Sequence, residues 1–323
     1  MLISACVPTY NSETTIRETI LSLINQSNPF FKIKVYDNVS TDKTRDIIKE
    51  LMIDNENLEL LINEKNVGAE GNFTRCILGA EGDLCVIAHA DDIYDFNFAK
   101  TNVDYFSLYP DLSATFCLAN EIDSSSHVIG RRYIPRELSG CAFTKISKTK
   151  GVGLFYQYAN FVTCPSVVVR SKIYKEKIKF WDGATYNTSA DLDVWMRILE
   201  TGALGFINEP LINYRVAEAS YSYRVAKIRT DKHDVFKVLE APKNELFAKE
   251  YKDDLNFLLN KDYAVRFLNT LRLKDTDKIK SFKWESRFSL NKTTKIGLHS
   301  FWHFKMMSAI LGLRLIYIAS RAR

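Results

Sequence analysis

The stretch "GNFTRCILGAEGDLCVIAHADD", residues 71–92, reads as a helix, a glycine turn and a short apolar strand. The strand, centred on residues 85–88, stops on His89, Ala90 and two adjacent carboxylates, Asp91 and Asp92. Neighbouring carboxylates raise each other's cost of ionisation. Such a strand either emerges into open water or carries its acids to a cation at the rim of a sheet. The sequence on either side decides between the two.

Toward the N-terminus the same alternation repeats. "LISACVP" (2–8), "KIKVYD" (32–37) and "LELLIN" (58–63) are strand-like runs. Between them lie "SETTIRETILSLINQ" (12–26), with Ile16, Ile20, Leu23 and Ile24 at helical spacing behind a Ser12 cap, and "STDKTRDIIKELM" (40–52). Strand and helix taking turns predict parallel strands joined by right-handed crossovers, an α/β sandwich of the nucleotide-binding kind. Toward the C-terminus, "LSATFCLANEID" (112–123) and "TCPSVVVRS" (163–171) predict further strands, and residues 124–150 an excursion beside the sheet. "SADLDVWMRILETG" (189–202) predicts a helix capped by Ser189 and stopped at Gly202, and "ALGFINEPLINYRV" (203–216) a strand pair around Pro210. From about Arg224 the pattern is helical, which sets an expected boundary near 220: residues 1–220 an α/β domain, 221–323 a helical C-terminal region.

Open α/β sheets bind ligands outside the carboxyl ends of their strands. The first strand ends on Pro8, Thr9, Tyr10 and Asn11, the second on Asp37 and Asn38, the third on Asn63 to Asn66, the fourth on His89, Asp91 and Asp92. Polar and acidic groups far apart in sequence thus converge on one rim, which favours the cation over open water. The first strand–helix turn holds no glycine, so neither a dinucleotide fingerprint nor a P-loop is present. A phosphate group there needs another counter-charge, and carboxylates holding Mg²⁺ or Mn²⁺ supply it.

In this order and spacing, "VPTYN", "VYDNVSTDKT", "NEKNVGAEGNFTRCILGAEGDLCVIAHADDIYD" and "SADLDVWMRI" resemble the motifs of the inverting family 2 glycosyltransferases of GT-A fold. The resemblance covers roughly the first two-thirds of the chain. It implies a nucleotide-sugar donor, most simply a UDP-sugar, with Thr9 and Tyr10 lining the nucleobase pocket and Asp37 accepting a hydrogen bond from the base. Asn11, Asn66, His89 and Asp91 would complete the donor site. "HADD" matches the family's DxDD segment, which makes Asp91 and Asp92 the candidate ligands of a divalent metal. "ADLD" matches its EDxD segment and makes Asp191 the candidate general base, followed by Trp195 facing the acceptor or the core. Inverting transfer needs such a carboxylate to take the proton of the attacking hydroxyl, and a metal that offsets charge on the departing diphosphate.

The chain departs from the family pattern at three places. His89 stands where the family commonly has Asp, Asp37–Asn38–Val39–Ser40 where it has DDGS, and Ala217 where many members carry a histidine after the YR of the last strand. His89 could substitute as a polar or metal-binding group. Simpler readings exist for several of these residues. Asp37 could cap its own turn, Asp191 and Asp193 could be helix N-terminal acids, and Asn72 and Gly68 could shape a helix start. His127, His233, His299 and His303 read as structural or surface groups.

Composition is that of a globular protein: 323 residues, 46% hydrophobic and 26% charged, net charge +5 from 44 basic and 39 acidic side chains. Six scattered cysteines without a CxxC pair read as reduced, mostly buried thiols of a cytoplasmic protein. The N-terminus reads as a strand rather than a signal peptide. The basic surplus is concentrated after Lys274, without a nucleic-acid recognition motif. There, Phe301, Trp302, Phe304, Met306 and Met307 are interspersed with Lys295, Lys305, Arg314 and Arg321. Too short and interrupted to span a bilayer, this segment would lie on an anionic membrane surface or pack as a terminal helix on protein. A membrane-apposed position, peripheral on the inner face of the plasma membrane, would suit an acceptor that is a glycan on a lipid carrier, in building surface polysaccharide. Two other classes compete: a degenerate nucleotide-sugar-binding or scaffold subunit, and a sugar nucleotidyltransferase, which would want a glycine-rich basic loop that "VPTYNSETT" lacks.

Overall fold

The computed structural model describes residues 1–216 and 229–273, with positions 278, 281–283, 309, 312 and 313. The chain divides into two compact units, Met1–Val152 with Asn160–Ala217, and Gly153–Ala159 with Glu218–Arg323.

Among the described residues of the first unit, ten strands form one sheet. In chain order they are β1 (Ile3–Thr9), β2 (Lys32–Asp37), β3 (Leu58–Ile62), β4 (Leu84–Ile87), β5 (Ile93–Tyr94), β6 (Leu112–Ile122), β7 (Val128–Arg131), β8 (Phe143–Ile146), β9 (Val168–Arg170) and β10 (Ala203–Arg215). Their spatial order is β3-β2-β1-β4-β9-β6-β10-β5, with β7 on β6 and β8 on β10. The first four run parallel, as the alternation predicts, with Val7 opposite Val35 and Cys6 opposite Ile87. Every residue of β4 is buried, the mark of a strand covered on both faces. Helices α1 (Ile16–Ile24), α2 (Thr44–Met52), α3 (Gly68–Leu78) and α4 (Phe98–Leu108) link this half. α1 buries Ile16, Thr19, Ile20 and Leu23, the i, i+3, i+4, i+7 stripe of a helix lying on a sheet. The core is built from Ile16, Ile20 and Leu23 with Ala5, Val7, Val35 and Val86.

The second half of the sheet is mixed. β9 runs antiparallel to both β4 and β6, and β10 parallel to β6. The expected excursion over 124–150 instead supplies β7 and β8, each joined antiparallel to the sheet. The expected strand pair around Pro210 is one strand, with register shifts on both sides of the proline. Proline cannot donate to the ladder, and a bulge absorbs the gap without ending the strand. Only the last part of "TCPSVVVRS" is strand; Cys164–Ser166 make a tight turn. Ser12 does not cap α1 with its side chain: its carbonyl accepts the Thr15 and Ile16 N–H groups at 3.1 and 2.9 Å, and the helix starts at Ile16.

The glycine turn between α3 and β4 is a point of close approach. Gly82 has φ +67°, and the carbonyl of Leu2 lies 2.8 Å from where a Cβ would stand. That same carbonyl accepts the N–H groups of Asp83 and Leu84 at 2.8 and 3.0 Å, so it cannot retreat. Gly82→Ala is therefore expected to destabilise the fold by about 1–3 kcal/mol, as forced left-handed residues do, read as a lowered urea midpoint.

Between the strands of the mixed half run α5 (Lys148–Tyr158), whose second half belongs to the second unit, and α6 (Ala190–Leu199). The second unit is helical where described, through α7 (Val235–Leu239), α8 (Glu245–Glu250) and α9 (Lys252–Arg272). Within it the Tyr156 hydroxyl donates to the Leu239 carbonyl at 2.6 Å. Buried Asp262 pairs with Arg229 and Arg266, each at 2.8 Å. Tyr263, Phe267 and Phe282 cluster beside it. No helix among the described residues is long and apolar enough to cross a membrane. The basic, aromatic segment expected at a membrane surface lies outside the described residues apart from positions 309, 312 and 313, and Ala217, His299 and His303 lie outside them altogether.

Candidate active site

At the end of β1, Thr9 is buried and accepts the Asn38 N–H at 2.9 Å through its carbonyl, while its hydroxyl has no partner. Tyr10 follows with its ring half exposed. Asn11 adopts φ +50°, a conformation asparagine tolerates better than most. Its side-chain carbonyl accepts the Thr41 N–H at 2.8 Å, so Asn11 braces the neighbouring turn. Asp37, at the end of β2, is wholly buried. Its carboxylate accepts the Ser40 N–H at 3.0 Å and the Ser40 hydroxyl, with the Arg45 Nε at 3.8 Å. The turn-capping reading of Asp37 is thus realised in the geometry, next to Thr9.

Asn38, the residue that replaces an acid of the family pattern, has a specific role. Its amide donates to Asn66 Oδ1 and the Gly68 carbonyl and accepts from Asn63 Nδ2 and the Val67 N–H. Asn63 reaches on to Asn72, which donates to the Tyr36 carbonyl at 2.7 Å. An uncharged amide can both donate and accept, and a carboxylate cannot. Asn66 is exposed and enters the site as an anchor of this network. Gly68 opens α3 at φ +73°, whereas Asn72, one turn in, ties the helix to the end of β2 rather than shaping its start.

At the end of β4 the two acids of "HADD" differ in burial, Asp91 being half-buried. Asp92 is fully buried, not in open water. Its Oδ1 accepts the Arg215 N–H at 2.8 Å, but its Oδ2 has no hydrogen-bond partner and stands 4.0 Å from His89 Nδ1. Burial and the Asp91 charge push the Asp92 carboxyl well up, and burial pushes His89 down toward its neutral form. Neutral imidazole is the form that ligates metals. His89 Nε2 is buried and also unpartnered. Ligand atoms of His89, Asp91 and Asp92 lie within 4.8 Å of one another. One nitrogen and two carboxylates, two of their atoms orphaned, fit a divalent cation.

Asp191 opens α6. Its carboxylate accepts the Leu192 N–H at 2.8 Å and the Asn160 side-chain amide at 2.7 Å. Burial pushes it up to about 6, against the pull of those donors and of Arg132. A base poised there is ionised at neutral pH yet able to take a proton. Asp191 and Asp92 both act on the half-buried Cys164 thiol, and Arg132, which acts on Asp191, stacks over Tyr214 at 5.2 Å, so the two acidic groups share a neighbourhood. Asp193 is different: it pairs with Arg197 at 2.9 Å and serves the helix. Trp195 faces the core, 2% exposed. Asn160→Ala is expected to move the acid limb of the pH–rate profile to higher pH, because removing a donor to the ionised form raises the carboxyl further.

Three contributors escaped the sequence reading. Arg215 was visible only as part of "YRV". Asn160 carries no local signal. Phe73 stands edge-on to His89 at 5.5 Å and packs on Trp181 at 4.5 Å, so an aromatic pair borders the imidazole.

A mixed α/β sheet with acids gathered at the strand ends and no glycine-rich phosphate loop defines a transferase of GT-A type. Residues 4–175 match the profile described as Glycosyl transferase family 2. The chain is 27% identical over 230 residues to a glycosyltransferase of Methanocaldococcus jannaschii, covering 70% of this chain and 75% of that one. It is 26% identical over 224 residues to the Escherichia coli enzyme UDP-Glc:alpha-D-GlcNAc-diphosphoundecaprenol beta-1,3-glucosyltransferase WfgD, covering 68% and 79%. Among solved structures, Staphylococcus aureus TarS matches with TM-score 0.61 at 18% identity over 86% of this chain and 47% of that longer one. The mannosyltransferase PcManGT of Pyrobaculum calidifontis, in complex with GDP-Man and Mn²⁺, matches with TM-score 0.57 at 15% identity over 98% and 86%. The chain belongs to glycosyl transferase family 2 and is a glycosyltransferase.

Proposed function

We propose that the protein transfers a sugar, with inversion, from a nucleotide-diphosphate donor to a saccharide on a lipid carrier, in the assembly of a surface polysaccharide. The observation that carries this reading is the pairing of the His89–Asp91–Asp92 cluster with a separately held carboxylate, Asp191, tuned to about 6. Thr9, Tyr10 and Asp37 form the nucleobase side of the donor site, and the Asn38–Asn63–Asn66 amides hold its floor. UDP is the favoured nucleotide and a diphosphate-linked lipid sugar the favoured acceptor, in line with the E. coli relative. Work on such an acceptor would place the enzyme at the cytoplasmic face of a membrane.

A divalent cation would be held by His89, Asp91 and Asp92; when bound it offsets the charge of the leaving diphosphate. The imidazole and two carboxylates suit Mn²⁺ better than Mg²⁺, which prefers oxygen donors alone. His89 thereby supplies from the end of β4 the imidazole that the family pattern carries after the last strand, at the position of Ala217. Asp191 accepts the proton of the acceptor hydroxyl as that oxygen attacks the anomeric carbon. Asn160 and the Leu192 N–H fix the carboxylate in place for it.

The test is release of nucleoside diphosphate from a panel of UDP-, GDP- and dTDP-sugars with Mn²⁺, Mg²⁺ or EDTA. Metal-dependent turnover of one donor, stimulated by a lipid-linked saccharide, is the expected result. No binding of any nucleotide sugar would overturn the reading.

A further inference from the structure

We propose that Arg215 is a positioning residue of the metal centre: a buried guanidinium that fixes the Asp91–Asp92 peptide and so aims both carboxylates. This rests on the reading of His89, Asp91 and Asp92 as the cation site.

Arg215 ends β10 and is 5% exposed. Its Nε donates to the Asp91 carbonyl at 2.8 Å and its Nη1 to the Asp123 carbonyl at 2.9 Å. Nη2 donates to Glu18 Oε2 at 2.7 Å and Ser126 Oγ at 3.1 Å, and the Ser126 hydroxyl also donates to the Glu18 carboxylate. Its own backbone N–H holds Asp92 Oδ1 at 2.8 Å. One residue therefore grips the acidic pair twice, at the main chain of Asp91 and the side chain of Asp92.

Burying a guanidinium is costly, and an apolar side chain in its place often serves stability as well or better. What an apolar chain cannot do is fix a carbonyl. The Asp91 carbonyl belongs to the peptide that joins Asp91 to Asp92, so holding it fixes the direction in which both side chains leave the main chain. The anchor is shared among three segments far apart in sequence: Glu18 on α1, Asp123 and Ser126 in the β6–β7 turn, and the Asp91–Asp92 turn after β4. Lysine would deliver the charge without the planar fork that reaches several acceptors at once.

The test uses the full chain and Mn²⁺ as probe, titrated alone and with UDP, with bound ion read by electron paramagnetic resonance and folding by thermal melts. Arg215→Met is expected to weaken Mn²⁺ about 10- to 100-fold, the range for partners that orient metal ligands, and Arg215→Lys to recover part of that loss. Should Arg215→Met not fold, the double variant Glu18→Gln/Ser126→Ala decides. It releases the outer end of the guanidinium at an exposed and a half-buried position, and several-fold weaker Mn²⁺ binding is expected. A lowered melting temperature with unchanged Mn²⁺ affinity, in either variant, would overturn the proposal and leave Arg215 a structural residue. If the wild type binds no Mn²⁺, or Asp91→Asn binds it as the wild type does, the cation-site reading itself falls and the proposal falls with it.

Discussion

Asp191→Asn is expected to lower turnover by about 10²- to 10⁴-fold, the usual contribution of a positioned general base, while leaving donor binding intact. Asparagine keeps the volume and the polar contact to Asn160 but cannot take a proton. The pH profile separates this from a loss of structure. Burial holds the Asp191 carboxyl at about 6, and the working form of a base is the ionised one. Activity of the wild type should therefore fall about tenfold per pH unit below that value and level off above it. The residual activity of the variant should lack this limb. A variant that retained the limb would assign the proton transfer to another group. A variant with weakened donor binding would place Asp191 in the donor site instead.

The second large effect is expected at the cation site. Asp91→Asn and His89→Ala should each cut metal-stimulated donor turnover by about 10²- to 10³-fold, since charge stabilisation at a diphosphate is worth several kcal/mol and each 1.36 kcal/mol is tenfold. EDTA should reduce the wild type to the level of the variants and leave the variants unchanged. His89→Asp is more telling than His89→Ala. It leaves this chain with carboxylate oxygens alone at positions 89, 91 and 92, so the preference should move from Mn²⁺ toward Mg²⁺. Full activity of His89→Ala with an unaltered metal response would show that the buried, unpartnered Nε2 is not a ligand atom. Asp92→Ala should also lose stability, because it leaves the Arg215 N–H that Asp92 Oδ1 receives without a partner deep in the protein.

Much of this site was legible because its parts sit at strand ends, and strand ends are written locally. The run over residues 85–88 is apolar because β4 is covered on both faces, and it stops where the sheet stops. The same reasoning located Thr9 and Asp37 from β1 and β2, whose apolar runs end at the same rim. Asp191 was legible only through a motif. A helix dipole favours acid at that position whether or not it works, and periodicity gives Asp191 and Asp193 the same standing. The structure separates them by partners: Asp193 meets Arg197 one turn along, and Asp191 meets Asn160 from another segment.

The sequence by itself determined the parallel half of the sheet, the acids at its rim and the absence of a glycine-rich phosphate loop. These arise from alternation of hydrophobicity and from residue types within a few positions of one another. Only the tertiary structure decided that residues 124–150 join the sheet, that the chain passes Pro210 as one strand, and that Arg215 grips Asp91 and Asp92 from 124 and 123 positions away. Local spacing reports which face of an element a side chain occupies. Which distant element meets that face is set by the packing of the whole sheet, and the contacts of Arg215 with Asp91 and Asp92 are made at that level.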